Sequence, residues 1–423
     1  MSSYFAKLSL AAITSLGLLF TSSSLSAQDV TIKVENGTAK TITINPTGGD
    51  KEDADKDDDS KKPFTGKRAA VDVAILLDTS NSMDGLIGQA QAQLWGIVQE
   101  FSKAEKAGQT PLLRVAVFEY GNSRLPASEG YIRQVEQLTT DMDRISEVLF
   151  KLTTKGGDEY CGQVIDECLT RLDWSDEPNS YKAVFIAGNE PFTQGSVGYE
   201  KVCKKAIESG VVVNTIHCGN YNTGVSGKWQ HAAELTEGKY LNINQDHRTV
   251  HIECPQDKII IELNSKLNKT YLWYGAKQAR SKYAGNQLAQ DGNAAKPTSQ
   301  AFGGGIISRA AAKSSSSYNN KGRDLVDSFA GDAEGLKKLD KAVLPEAMQK
   351  MTEAERVAHL EKMTKERAEL KAKIAKLNKE RLAHIAAERK KMAASGKAEK
   401  TLSDVMNESV RLQLEKSGFE LKE

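Results

Sequence analysis

The stretch Val71-Asp72-Val73-Ala74-Ile75-Leu76-Leu77-Asp78-Thr79-Ser80-Asn81-Ser82-Met83 decides the fold. Its first seven residues form a near-continuous apolar run, the pattern of a strand covered on both faces. Helical spacing follows at Leu86, Leu94, Ile97, Val98 and Phe101. A carboxylate and two hydroxyls therefore stand at every second position between a buried strand and a helix. Ligands of open α/β sheets bind at that edge. Alternate spacing lets Asp78, Ser80 and Ser82 converge from one tight loop. One carboxylate with two hydroxyls is an all-oxygen donor set suited to a hard divalent cation. A helix N-cap also uses Ser, but a cap needs one such residue and leaves Asp78 unexplained.

Outward from this loop the β-α-β pattern continues over 67–250. Strands are expected at Leu112 to Phe118, Tyr131 to Val135, Ala183 to Ala187 and Val211 to Ile216, with a weak one at 239–243. Helices are expected near 142–151, 159–172, 198–209 and 228–236. Such alternation implies an α/β fold, a doubly wound, mostly parallel sheet with helices on both faces.

The strand–DTSNS–helix context resembles the von Willebrand factor type A (VWA) family, whose metal-ion-dependent adhesion site carries D-x-S-x-S. The segments IAGNEPFTQG and NTIHCG are similar to those of uncharacterised exported bacterial VWA-domain proteins. The resemblance implies one Mg²⁺ (or Mn²⁺ or Ca²⁺) at the sheet's rim, a protein partner whose acidic side chain completes the coordination, and no enzyme activity. It also implies two further ligand loops, from which this sequence departs. In Gly156-Gly157-Asp158-Glu159-Tyr160, Asp158 stands where the family has Thr, and reads either as a ligand or as the cap of the following helix. The strand 183–187 runs into Gly188-Asn189-Glu190-Pro191, with Gly188 at the family's Asp and Asn189 or Glu190 as substitute oxygen donors.

The flanks read differently. Lys7, the apolar stretch Leu8 to Phe20 and the small-residue exit Leu25-Ser26-Ala27 describe a signal peptide over 1–27, hence export to the periplasm or beyond the cell. Residues 28–48 alternate around Asn36-Gly37, a short β hairpin. The acidic run 49–66 reads as a linker. As a calcium loop it fails, with Asp58 where Gly is needed and Phe64 where Glu is needed. Residues 251–345 are expected to be a helical and spacer region, with 291–322 loop-like. Residues 346–423 are expected to be a long charged helix and tail. There Leu360, Met363, Leu370, Ile374 and Leu377 form a heptad-like seam interrupted by Arg367 and Arg381, an arm or coiled coil with possible self-association.

The 423 residues carry 57 Lys and Arg against 56 Asp and Glu, without the basic surplus of a nucleic-acid binder. Mean hydropathy is −0.47, and no apolar run reaches membrane-spanning length. Five cysteines in an exported chain allow up to two disulfides, and equally read as small buried apolar residues. His247, His251 and Cys254 have a zinc-like spacing, but Arg248 stands where a zinc hydrolase needs Glu. Nucleophile-elbow and phosphate-loop motifs are absent. The sequence thus points to a cation-dependent protein-binding module, or else to an envelope scaffold acting through its C-terminal arm.

Overall fold

The computed structural model describes residues 29–35, 38–45, 68–244, 246, 252–301, 305–393 and 402–422. The chain divides into two compact units, 1–58 and 59–423. In the first, strands β1 (Asp29–Glu35) and β2 (Thr38–Asn45) pair antiparallel around Asn36-Gly37, with a register shift at Lys33/Val34. The expected signal peptide (1–27) and the expected linker (49–66) lie outside the described residues.

The second unit is built on β3 (Ala70–Asp78), whose nine residues are all buried. Helix α1 (Asp84–Phe101) follows, then β4 (Ala104–Glu105), β5 (Leu112–Tyr120), β6 (Ile132–Thr139), α2 (Met142–Leu149) and α3 (Cys161–Arg171). Next come β7 (Tyr181–Gly188), α4 (Tyr199–Glu208), β8 (Val212–Cys218), α5 (Tyr221–Ser226), α6 (Trp229–Glu234) and β9 (Tyr240–Ile243). The six-stranded sheet has the order β6-β5-β3-β7-β8-β9. Every pairing is parallel except β5 with β6 at the edge. The chain runs from β3 outward to β5 and β6, then crosses back to β7 on the other flank. Strand order therefore reverses at the carboxyl end of β3, which opens a crevice directly above the DTSNS loop.

Alternation along β3 feeds two cores. Val71, Val73, Ile75 and Leu77 pack with α1 and α2, whereas Ala74 and Leu76 pack with α3, α4 and α6. Asp72, the polar residue in this run, is satisfied by Arg114 through contacts of 2.8 and 2.6 Å and by the Ser175 amide at 2.8 Å. A bidentate, hydrogen-bonded pair is the condition under which a charge tolerates such burial.

The C-terminal region departs from expectation. Helices α7 (Asp257–Asn268) and α8 (Lys277–Ala294) fill the stretch ahead of 291 as the helical reading expects, whereas α9 (Pro297–Ala301) and α10 (Ile306–Ser314) occupy much of 291–322, the segment read as a loop-like spacer. Short helices α11 (Leu325–Phe329), α12 (Ala333–Lys337) and α13 (Glu346–Gln349) lead to α14 (Glu353–Ala393). Helix α15 (Leu402–Lys416) and strand β10 (Glu420–Leu421) close the chain, β10 pairing antiparallel with β4. Residues 59–423 are thus one unit, without a boundary at 250. The tail carries a packed helix, with Leu402, Val405, Met406, Val410 and Leu414 buried in the same core as α1. Ala310, Ala311 and Ala312 are buried too, so the small residues serve close packing of α10 rather than flexibility.

The seam of α14 is covered by its own chain. Leu370 and Ile374 join the core shared with α1, and Leu360 joins a separate cluster with Leu325, Leu336 and Met348. The interrupting arginines anchor it: Arg367 meets Asp324 at 2.6 Å and Asp327 at 2.9 Å, and Arg381 meets Asp257 at 2.8 Å. This segment is not a free arm. All five cysteines are free, buried thiols. Among the described residues no helix is long and apolar enough to cross a membrane.

Candidate metal centre

Three loops meet above the carboxyl end of β3. Thr79 holds the first to β5, its amide donating to the Tyr120 carbonyl at 2.8 Å and its hydroxyl to Glu119 at 3.2 Å. Glu119 is in turn paired with Arg133. The second loop docks on the first through Lys155 N–H to the Thr79 carbonyl at 2.9 Å and Gly156 N–H to Asn81 Oδ1 at 2.8 Å. The third arrives from β7: Asn189 Nδ2 donates to the Ser82 hydroxyl at 3.2 Å.

Asp78 lies at the bottom, fully buried. Its Oδ1 accepts the Ser80 amide at 2.7 Å. Its Oδ2 is buried without a partner. Asn189 Oδ1 is a second buried oxygen without one. Neither serine is spent on capping: Ser80 precedes a 3₁₀ turn over Asn81–Met83 with no side-chain cap bond, and α1 has none either.

The second loop corrects the sequence reading. Asp158 is exposed, its carboxylate accepting the Tyr160 hydroxyl at 3.1 Å, and α3 begins at Cys161 without a side-chain cap. Asp158 therefore neither faces Asp78 nor caps the helix. Glu159 is the residue turned inward and buried. A Cβ on Gly121 would lie 2.9 Å from Glu159 Cγ and 3.0 Å from Asp78 Oδ1, which places the two acids side by side around that glycine. Gly121 also has φ +79°, so both its backbone and its surroundings exclude a side chain. The resemblance set Asp158 at the family's Thr position, whereas the buried acid of this loop is its neighbour Glu159. The only trace in the sequence was the adjacent acid.

The electrostatics agree with this geometry. Burial raises the Asp78 carboxyl to about 6, and Glu190 adds to the rise. Burial, Asp78 and Glu190 together raise Glu159 to about 7. None of the groups that act most strongly on either acid is cationic. Glu190 is half-buried, takes a 3.3 Å bond from Gln194 Nε2, and accepts Trp229 Nε1 on its backbone carbonyl at 2.8 Å. Gln194 Oε1 also accepts the Glu159 amide at 3.2 Å, tying the second loop to the third.

The structure thus brings together Asp78, Ser80, Glu159 and Asn189, keeps Ser82 attached through Asn189, and leaves Asp158 outside. A bare pair of buried like charges is costly, and an orphaned carboxylate oxygen beside it fits a missing cation. The donors are all oxygen, which suits Mg²⁺, Mn²⁺ or Ca²⁺. Among the described residues no three His, Cys, Asp or Glu side chains converge on one metal position, so hydroxyl and amide oxygens must complete any such set. Of the zinc-like trio, His247 and His251 lie outside the described residues, and Cys254 bonds the Ile252 carbonyl at 3.4 Å.

A doubly wound sheet, one antiparallel edge strand and a D-x-S-x-S loop at the reversal of strand order define a VWA-like domain with a C-terminal helical region. No family model and no curated protein matches the chain. Among solved structures it is similar to the VWA domain of SpRpn10, at 13% identity and a TM-score of 0.32, covering 41% of this chain and 88% of that one. It is similar to the conserved hypothetical protein BatB from Bacteroides thetaiotaomicron, at 13% identity and 0.32, covering 52% and 98%. It is also similar to proximal thread matrix protein 1 of the mussel byssus, in a form described with a zinc-occupied MIDAS motif. That match has 16% identity and a TM-score of 0.32, and spans 42% of each chain.

Proposed function

We propose that this chain is an exported protein-binding module that holds a divalent cation at Asp78 and its neighbours and acts without catalysis. One observation carries the reading: Asp78 Oδ2 is buried and unpartnered, while Oδ1 of the same carboxylate lies beside a second buried acid. Held there, the cation would be a Lewis acid with an accessible side toward the rim, where Ser82 is exposed. A carboxylate from a partner protein is the group that completes its coordination. The residues of this chain do the preparatory work. Thr79 and Asn81 fix the loops, Gly121 and Gly188 keep the floor open, and Asn189 holds Ser82 to the third loop. The scaffold alternative loses its basis, because the seam that would assemble copies is covered by α10, α11 and α12 of the same chain.

Calorimetric titration of the full chain with Mg²⁺ or Mn²⁺ tests this. Binding is expected for the wild type and lost in Asp78→Ala, with a far-ultraviolet spectrum unchanged. Affinity capture from envelope extract with Mg²⁺, then with EDTA, is expected to change the bound protein set. Wild type and variant titrating alike would sink the reading.

A further inference from the structure

We infer that Glu159 is a direct ligand of the cation and supplies the second carboxylate of the site. This inference rests on the cation reading above and concerns which residue completes it. The resemblance puts that second carboxylate at the end of β7, where this chain has Gly188. No side chain fits at Gly188: its Cβ would stand 2.4 Å from the Tyr120 hydroxyl and 3.1 Å from Asp78 Oδ2. Glu190, two positions on, is only half-buried and is bonded to Gln194, which leaves Glu159 on the second loop as the buried acid beside Asp78. Glu159 is buried and lies against Gly121 on the same side as Asp78 Oδ1. Asp158, its neighbour, is turned to solvent and bonded to Tyr160. The unpartnered Asp78 Oδ2 is the independent sign that something is coordinated there.

Two carboxylates cancel the formal charge of one divalent ion. The chain itself then retains the ion, and attraction for an incoming anion is weaker than at a site with one acid. Glu159 in this way favours retention of the cation over grip on the partner.

The test is a calorimetric titration of the full chain with Mn²⁺, comparing wild type, D78A, E159Q and D158N. E159Q is expected to weaken binding at least tenfold, and D158N to stay within twofold of wild type. In EDTA, E159Q is expected to melt no lower than wild type, since it relieves a repulsion; a purely structural Glu159 would lower the melt. If E159Q titrates like wild type while D78A loses the ion, or if D158N shows the loss, Glu159 is not the ligand and the cation reading stands. A wild-type chain that takes up no Mn²⁺ overturns both.

Discussion

The Tyr120 hydroxyl occupies the space that a side chain at Gly188 would need. It donates to the Ala187 carbonyl at 3.0 Å and lies 2.4 Å from the Cβ position of Gly188. Tyr120 ends β5 and Gly188 ends β7, the two strands that flank β3, so this contact sets the width of the crevice over Asp78.

Gly188→Ala is therefore expected to destabilise the protein by about 1–3 kcal/mol, the usual cost of overpacking a rigid core. Tyr120 is fully buried and has no room to retreat. Denaturant unfolding measures the loss, and Tyr120→Phe in the same chain should recover part of it. An unchanged midpoint for Gly188→Ala would show that the hydroxyl is not fixed where it stands.

Without a cation, the pair Asp78 and Glu159 makes the protein less stable as pH rises. Their folded carboxyls sit at about 6 and about 7, above the unfolded values of 3.8 and 4.5. The folded state thus binds more protons between these limits. Its advantage is complete below about pH 4 and is lost as pH climbs through 6 to 7. The total is on the order of 2–4 kcal/mol, Glu159 being counted at a discount for its contact with solvent. In EDTA, the double variant D78N/E159Q should match wild type near pH 4.5 and exceed it near pH 7.5. Added Mg²⁺ should raise the wild-type melt at pH 7.5 and scarcely at pH 4.5, because the ligands must be deprotonated. A wild-type melt indifferent to both pH and Mg²⁺ relative to the double variant would contradict this.

Two cations buried between α10 and the helices α1, α2, α7 and α8 should respond oppositely. Arg309 is fully buried, meets Asp143 at 2.7 Å, pairs with Asp291 and lies over the Trp95 ring. Arg309→Met leaves two acids without their partner and should cost about 3–5 kcal/mol. Lys313 is also fully buried and donates to Asn268 Oδ1, but burial and the Arg309 charge push its ammonium down to about 8, and its ion-pair contact with Asp291 is long, at 3.5 Å. Lys313→Met should cost less than about 1 kcal/mol or stabilise. Urea unfolding of both variants decides it; equal losses would mean that Lys313 contributes as a pair in the same way as Arg309.

Much of the fold was legible because strands and local loops declare themselves over short stretches. β3, β7 and β8 are apolar runs, and Asp78, Ser80 and Ser82 stand where the chain must turn. Glu159 was not legible in the same way. Asp158 and Glu159 are adjacent acids, and only the backbone direction before α3 determines which one enters the crevice. The C-terminal layer was misread for a related reason. Ala- and Ser-rich 291–322 has the composition of a spacer, and Arg309, Lys313 and Arg367 look like surface charges until their partners are known. The pattern of α15 was present all along in Leu402, Val405, Met406, Val410 and Leu414, spaced by three and four.

The amino-acid order alone determined a mostly parallel sheet with an oxygen-rich loop at its carboxyl edge, since backbone hydrogen bonding and side-chain periodicity act within a few residues. Tertiary structure alone decided that Glu159 faces Asp78, that Gly188 stays bare, and that α14 folds onto its own chain. Those outcomes depend on whether a buried charge finds its counterpart, and the counterparts are distant: Arg309 and Asp143 are separated by 166 positions, Arg367 and Asp324 by 43. No local pattern encodes such a pairing, and the cost of burying either charge alone is what enforces it.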